Sequence, residues 1–253
     1  ALPRLLPGWS AFRFFIKNGL VLLAICLLAL AWANPQRGAK KQTVAQKSAD
    51  VLLALDISKS MLVEDVAPNR LDLAKSFIRK LMLALQGERI GLIFFAGDAY
   101  LQMPLSTDYP AADMFVANAS PDLITAQGTA IPRAIDLATE SFDPEPGAGR
   151  ALVLITDGEN HDEDAIARAA DAFDDGIIIL TVGAGTAVGG PIPLEASGSS
   201  GAYKRDENGE LVRSRLNQAL LKELAAKGGG AAFLLSQGDA AIKAIRREVR
   251  RLQ

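Results

Sequence analysis

The sequence predicts an α/β protein: a doubly wound, mostly parallel sheet with one antiparallel edge strand and helices on both faces, preceded by an N-terminal membrane helix. Three observations predict it. Short runs at residues 51–55, 90–95, 151–155, 177–182 and 231–235 are hydrophobic almost throughout, as strands covered on both faces must be. Longer stretches between them repeat apolar residues at helical spacing. An uncharged run near the N-terminus stands apart from both patterns.

Residues 1–18 form a basic segment with Arg4, Arg13 and Lys17, and residues 19–33 are the uncharged run. At roughly 15 residues the run is shorter than the ~20 of a spanning helix. Ala31-Trp32-Ala33 resembles a signal-peptidase site, so a cleaved signal and a retained anchor both stay open. Phe12, Phe14, Phe15 and Ile16 lengthen the apolar zone if Arg13 and Lys17 snorkel, and Trp32 suits an interface. Arg37, Lys40 and Lys41 balance the basic residues on the other side, so charge does not set the orientation. The lone Cys26 has no partner for an intramolecular disulfide. Residues 34–49 are polar enough for a solvated linker.

The folded region, residues 50–253, opens with strand 51–55. Leu71, Ala74, Phe77, Ile78, Leu81 and Leu85 then mark a helix packed on the sheet, followed by strand 90–95. Residues 98–103 follow Gly97 so closely that a hairpin, and hence an antiparallel edge strand, is expected. Ile131, Ala134, Ile135 and Ala138 mark the next helix, before strands 151–155 and 177–182. The glycine- and serine-rich residues 183–201 read as a loop, and Asp206-Glu207-Asn208-Gly209 as a small hairpin turn. Leu216, Leu220 and Leu224 mark a helix before strand 231–235. A basic amphipathic helix over 239–253 turns Ile242, Ile245 and Val249 inward.

With 27 Lys plus Arg against 29 Asp plus Glu, the chain lacks the positive field that nucleic-acid binding needs. Its chemistry lies in three oxygen-bearing clusters. Asp56-Ile57-Ser58-Lys59-Ser60 follows the first strand, Gly128-Thr129 precedes a helix, and Thr156-Asp157-Gly158-Glu159 follows the strand at 151–155. Parallel sheets place ligands at the C-terminal ends of their strands, and the clusters fall there or at the start of a helix beside them. Each cluster alone has a local explanation, as a turn or a helix cap. Together they offer hydroxyls and two carboxylates, Asp56 and Asp157, which suit a hard divalent cation such as Mg²⁺. Alternate positions 56, 58 and 60 converge on one point while Ile57 and Lys59 turn away.

Three further features carry weaker signals. His161, the only histidine, follows the third cluster and reads as an exposed loop residue before a ligand or base. The glycines at 183–190 lack the Gly-Lys-Ser/Thr of a phosphate loop. Arg246, Arg247, Arg250 and Arg251 form a solvated face or, if a further membrane helix follows, a contact with lipid headgroups.

In this order the clusters resemble the metal-ion-dependent adhesion site of von Willebrand factor A domains. Asn69-Arg70-Leu71 with Ala74-Lys75, Glu88-Arg89-Ile90-Gly91-Leu92, Phe95-Ala96-Gly97, Pro104-Leu105-Ser106-Thr107-Asp108 and Gly128-Thr129-Ala130-Ile131 narrow the resemblance. They are similar to the bacterial membrane-bound A-domain proteins of the aerotolerance (Bat) type. Pro35-Gln36 after the apolar run, Gly183, Pro191-Ile192-Pro193 and the hairpin before Leu216 fit the same family.

The resemblance implies that Ser58 and Ser60 bind the metal directly, and Asp56 and Asp157 directly or through water. Thr129 would switch between the two modes as a partner's carboxylate arrives. It implies Mg²⁺, with Mn²⁺ or Ca²⁺ as alternatives, and a partner protein supplying an Asp or Glu. It further implies a bacterial inner-membrane location with residues 50–253 outside the cytoplasm. Other A-domain membrane proteins and a MoxR-type AAA+ ATPase would be neighbours in a stress-related assembly. The expected activity is binding. The alternative is a Mg²⁺-dependent hydrolase or phosphatase with a nucleophilic Asp, against which Ser58 stands where a second acid is needed.

Overall fold

A computed structural model of the chain describes residues 11–33, 48–126, 128–143, 148–159, 163–194 and 202–252. It falls into two units, residues 1–46 and 47–253.

In the first unit, helix α1 runs Ala11–Trp32. Its 22 residues extend about 33 Å, close to the ~30 Å of a bilayer's hydrocarbon core. Phe12–Trp32 has a mean hydropathy of 2.3, long and apolar enough to cross a membrane. The helix therefore begins inside the stretch assigned to the basic segment, not at residue 19. The cause is chemical: Phe12, Phe14, Phe15 and Ile16 continue the apolar surface, interrupted only by Arg13 and Lys17, one helical turn apart. Most of the expected linker, including Pro35-Gln36, lies outside the described residues.

In the second unit, β1 (Asp50–Asp56), β2 (Arg89–Phe95), β3 (Ala99–Ser106), β4 (Arg150–Thr156) and β5 (Ile177–Gly183) come first. β6 (Gly190–Pro191), β7 (Arg213–Ser214) and β8 (Ala232–Leu234) complete the strands. The main sheet has the order β3-β2-β1-β4-β5-β8, parallel except for β3. All five hydrophobic runs are its parallel strands, and the residues after Gly97 form the antiparallel edge. That edge runs to Ser106 and accommodates Pro104, which an edge strand tolerates.

Alternate residues of the parallel strands face opposite layers. On one side Val51, Leu53, Leu55, Phe94 and Val153 pack under α2 (Arg70–Ala84), α3 (Tyr109–Ala117) and α7 (Asp239–Arg250). On the other, Leu52, Ala54, Phe95, Leu154 and Ile179 meet α4 (Ile131–Ser141), α5 (Glu163–Asp174) and α6 (Gln218–Lys227). Leu52 and Leu53 are both fully buried, and truncation of such a leucine to alanine costs about 2–5 kcal/mol. Asn69 starts α2 by accepting a hydrogen bond from Asp72 N at 2.7 Å.

Two helices and one β unit go beyond the sequence reading. α3 is apolar around most of its circumference, although only Ala112 and Val116 are buried, so it has no helical stripe. α5 buries only alanines, Ala165, Ala169 and Ala172, whose short side chains give a faint periodic signal. The stretch read as a loop at 183–201 carries β6, which pairs with β7. The expected turn after Asp206 is present: Asp206 N donates to Glu210 O, and Gly209 takes φ +81°. Residues 190–194, 202–206 and 210–214 thus make a small antiparallel lamina, tied by Pro193 to Tyr203 and Arg205 to Leu211. The C-terminal helix buries Ile242, Ile245 and Val249 as expected, ends at Arg250 and exposes Arg246, Arg247, Arg250 and Arg251.

Candidate metal centre

β1 lies at the middle of the sheet, with β2 on one side and β4 on the other. The winding therefore reverses between β1 and β4, and an open sheet leaves a crevice at the C-terminal ends of such a pair. Asp56 ends β1 and Thr156 ends β4.

Asp56 is fully buried. Its Oδ1 accepts from Ser58 N at 2.9 Å, and its Oδ2 accepts from Thr156 Oγ1 at 2.6 Å. Burial and then the neighbouring Asp157 charge push its carboxyl up to about 7. Ser58 precedes a single 3-10 turn, Lys59–Leu62, and its side chain makes no cap bond there. The hydroxyl instead lies 2.9 Å from Ser60 Oγ. Gly128, at φ +128°, and Thr129 approach from the other side, on a segment fastened by Ala130 N to Ala96 O and Gly97 N to Ala126 O. The N-cap position of α4 falls on Ala130, one residue after Thr129.

Ser58, Ser60, Gly128 and Thr129 line a cleft of about 250 Å³, together with Lys59, Glu159, Ile192, Lys204 and Val212. Burial and the Asp157 charge raise the half-buried Glu159 carboxyl. The five residues singled out from sequence are thus gathered at one crevice, three hydroxyls lining the cleft beside two fully buried acids. His161 lies outside the described residues.

The donor set fits a hard cation. An octahedral shell with bonds of roughly 2.0–2.1 Å places adjacent oxygens about 2.9 Å apart. The Ser58 and Ser60 hydroxyls already hold that spacing. Two buried carboxylates that repel each other gain from a shared cation. Among the described residues no three His, Cys, Asp or Glu side chains cluster, so a cation held here would take its remaining ligands from hydroxyls and water.

Sequence reasoning missed what stands behind Asp157. Arg70, fully buried at the start of α2, donates from Nη1 to Asp157 Oδ2 at 2.8 Å and to Ser214 Oγ at 2.7 Å. Ser214 Oγ in turn donates to the same Asp157 oxygen at 3.0 Å. On its other side Arg70 grips both oxygens of Asp65 at 2.8 Å, and Asp65 accepts from Thr186 N and Oγ1. Burial works to raise the Asp65 carboxyl, but the Arg70 and Thr186 bonds outweigh it and hold it below its ordinary value. One signal was available: a cation in the first turn of a helix opposes the helix dipole and needs a reason.

The chain matches the von Willebrand factor type A domain family over residues 51–159. It is 44% identical to an aerotolerance-related membrane protein of Bacteroides fragilis, whose structure superposes with a TM-score of 0.76, covering 81% of this chain and 100% of that one. BatB of Bacteroides thetaiotaomicron is 43% identical, with the same TM-score, covering 81% and 98%. Proximal thread matrix protein 1 of the mussel byssus, solved with a zinc-occupied MIDAS motif, shares the fold at 16% identity and a TM-score of 0.57, covering 80% and 46%. An uncharacterized protein of Borreliella burgdorferi is 27% identical over 227 residues, which are 86% of this chain and 62% of that protein. The chain thus spans less than two thirds of that relative's length. With the fold, the crevice residues and the Bacteroides likeness in agreement, the chain belongs to the von Willebrand factor A domain proteins, among the aerotolerance-related (Bat) membrane proteins of bacteria.

Proposed function

We propose that the chain is a membrane-anchored binding module that takes a partner protein's Asp or Glu carboxylate through a divalent cation, Mg²⁺ foremost. Ser58, Ser60 and Thr129 would hold the cation with Asp56 and Asp157. The observation that carries the reading is the Ser58–Ser60 hydroxyl pair, 2.9 Å apart in a cleft beside two fully buried acids. When bound, the cation supplies a water-filled coordination position that an outside carboxylate can take.

The same geometry supports binding over hydrolysis. The acid best placed as a nucleophile, Asp56, is fully buried with both oxygens accepting hydrogen bonds. Family resemblance adds an inner-membrane setting, residues 50–253 outside the cytoplasm, and work beside other A-domain proteins and a MoxR-type AAA+ ATPase. Manganese titration of the full chain in detergent micelles tests the core of the reading. One Mn²⁺ per chain is expected, lost in Ser58→Ala and Ser60→Ala; unchanged binding in both variants would refute it. Magnesium-dependent turnover of generic phosphate esters, abolished by Asp56→Asn, would favour a hydrolase. Protease protection of the domain in spheroplasts would reverse the orientation.

A further inference from the structure

The lamina inserted between β5 and α6 is the part of the cleft that the family motif does not explain. Its three segments are cross-linked at one row. Lys204 N donates to Ile192 O at 2.8 Å, Val212 N to Lys204 O at 2.9 Å, and Ile192 N to Val212 O at 3.1 Å. The side chains of this row share the cleft with Ser58, Ser60 and Thr129. Ile192 is buried and Val212 half-buried, while Lys204 is exposed. Ser214, at the end of the third segment, is bonded to Arg70 and Asp157, so the row is fixed relative to the crevice.

We infer that this lamina is the selectivity wall of the site: Lys204 pairs with the oxygen of the partner's Asp or Glu carboxylate that the cation leaves free, against the apolar surface of Ile192 and Val212. The inference rests on the carboxylate-binding reading above. A cation held by hydroxyls and two acids can engage one carboxylate oxygen, and the second then needs a donor. Lys204 has three N–H donors and, among the described residues, no carboxylate within 4 Å, although its charge acts on Glu159 across the same cleft. Glu159 is the competing claimant, because it lines the same cleft.

Acetate is the probe, with the Mn²⁺-loaded full chain in detergent micelles. Displacement of Mn²⁺-bound water is followed by proton relaxation. Lys204→Ala should leave Mn²⁺ affinity within about twofold and weaken acetate about three- to fivefold, as loss of a largely exposed pair does. Lys204→Arg should restore acetate binding, and Lys204→Glu should weaken it about tenfold through like-charge repulsion. In a Glu159→Gln background, where Lys204 no longer answers the Glu159 charge, Lys204→Ala should weaken acetate at least as much. If that effect vanishes there, or if Lys204→Glu binds acetate as wild type does, the wall is wrong and carboxylate binding stands. If acetate displaces no water from the wild-type chain, the carboxylate reading itself fails, and the wall with it.

Discussion

Arg70 and Asp157, 87 residues apart in sequence, meet at 2.8 Å with neither side chain exposed to solvent. Arg70 is the counter-ion of two acids at once, Asp157 beside the cleft and Asp65 beneath the lamina. Removing it should be severe. Arg70→Met leaves two carboxylates without their cation, and loss of one member of a buried pair costs about 3–5 kcal/mol. Urea unfolding should register that loss, with melting lowered by roughly 10 °C. Arg70→Lys should recover only part, because an ammonium cannot grip both Asp65 oxygens and reach Asp157 as a guanidinium does. A melting point unchanged in Arg70→Met would show that the pair contributes nothing to the fold.

The same pair separates two variants that sequence alone treats alike. The strands lose no packing in Asp157→Ala, which from sequence predicts an intact fold. The structure alters that expectation, since Arg70 and Ser214 both lose an acceptor. Asp157→Ala should cost about 1–3 kcal/mol of stability as well as the cation. Ser58→Ala should leave stability within about 1 kcal/mol while cutting Mn²⁺ affinity at least tenfold. Parallel calorimetry and urea titration compare the two, and equal destabilisation by both would contradict the distinction.

Metal-free protein should be more stable in mild acid than in mild alkali. Asp56 titrates at about 7 in the folded chain, well above its ordinary value of 3.8. The folded state therefore holds a proton that the unfolded state has released, and stability falls as pH rises from about 4 to 7. Urea midpoints in chelator should drop across that window and level off above it. Saturating Mg²⁺ at pH 8 should recover much of the loss, because the cation takes the proton's place between the two acids. A flat profile in chelator would mean that Asp56 is ionised without difficulty.

Thr129→Ala should act on the arriving carboxylate more than on the cation. Thr129 lines the same cleft as the serine pair, from a different segment of chain. Mn²⁺ affinity should fall only a few-fold, as expected for a single hydroxyl contact. Acetate binding to the loaded site should fall further, and Thr129→Ser should restore it. Equal losses of metal and acetate would show that Thr129 is a fixed ligand.

The parallel strands were legible because burial on both faces demands unbroken apolar runs, and residues 51–55 and 151–155 supply them. That Ser58, Ser60 and Thr129 meet in one cleft beside Asp56 and Asp157 was legible because each cluster follows a strand or precedes a helix directly. Elements whose contacts are distant or faint were not. Arg70 shows its purpose only when Asp157 and Ser214 are brought to it, across 87 and 144 positions. The fully buried side chains of α5 are alanines that barely register as hydrophobic, with Ile166 packed beside them. Of the lamina only the turn after Asp206 was legible: its first segment lies within the glycine- and serine-rich stretch 183–201, and its pairing relies on backbone bonds rather than a side-chain pattern. Its residues Ile192, Lys204 and Val212 therefore carried no signal of shared position.

The lamina is anchored at one end only. Ser214 is locked into the Arg70–Asp157 bonds, whereas Tyr203 to Leu211 are exposed. Substitutions over those exposed positions should therefore meet little resistance from the fold, whereas substitutions at Ser214 or Arg70 break the bonds that hold it. If the proposed site holds, related copies of such a domain would diverge in whom they greet without relearning how to hold a cation. A graft of residues 202–212 from one relative onto another should accordingly move recognition with it and leave the recipient's melting temperature where it was.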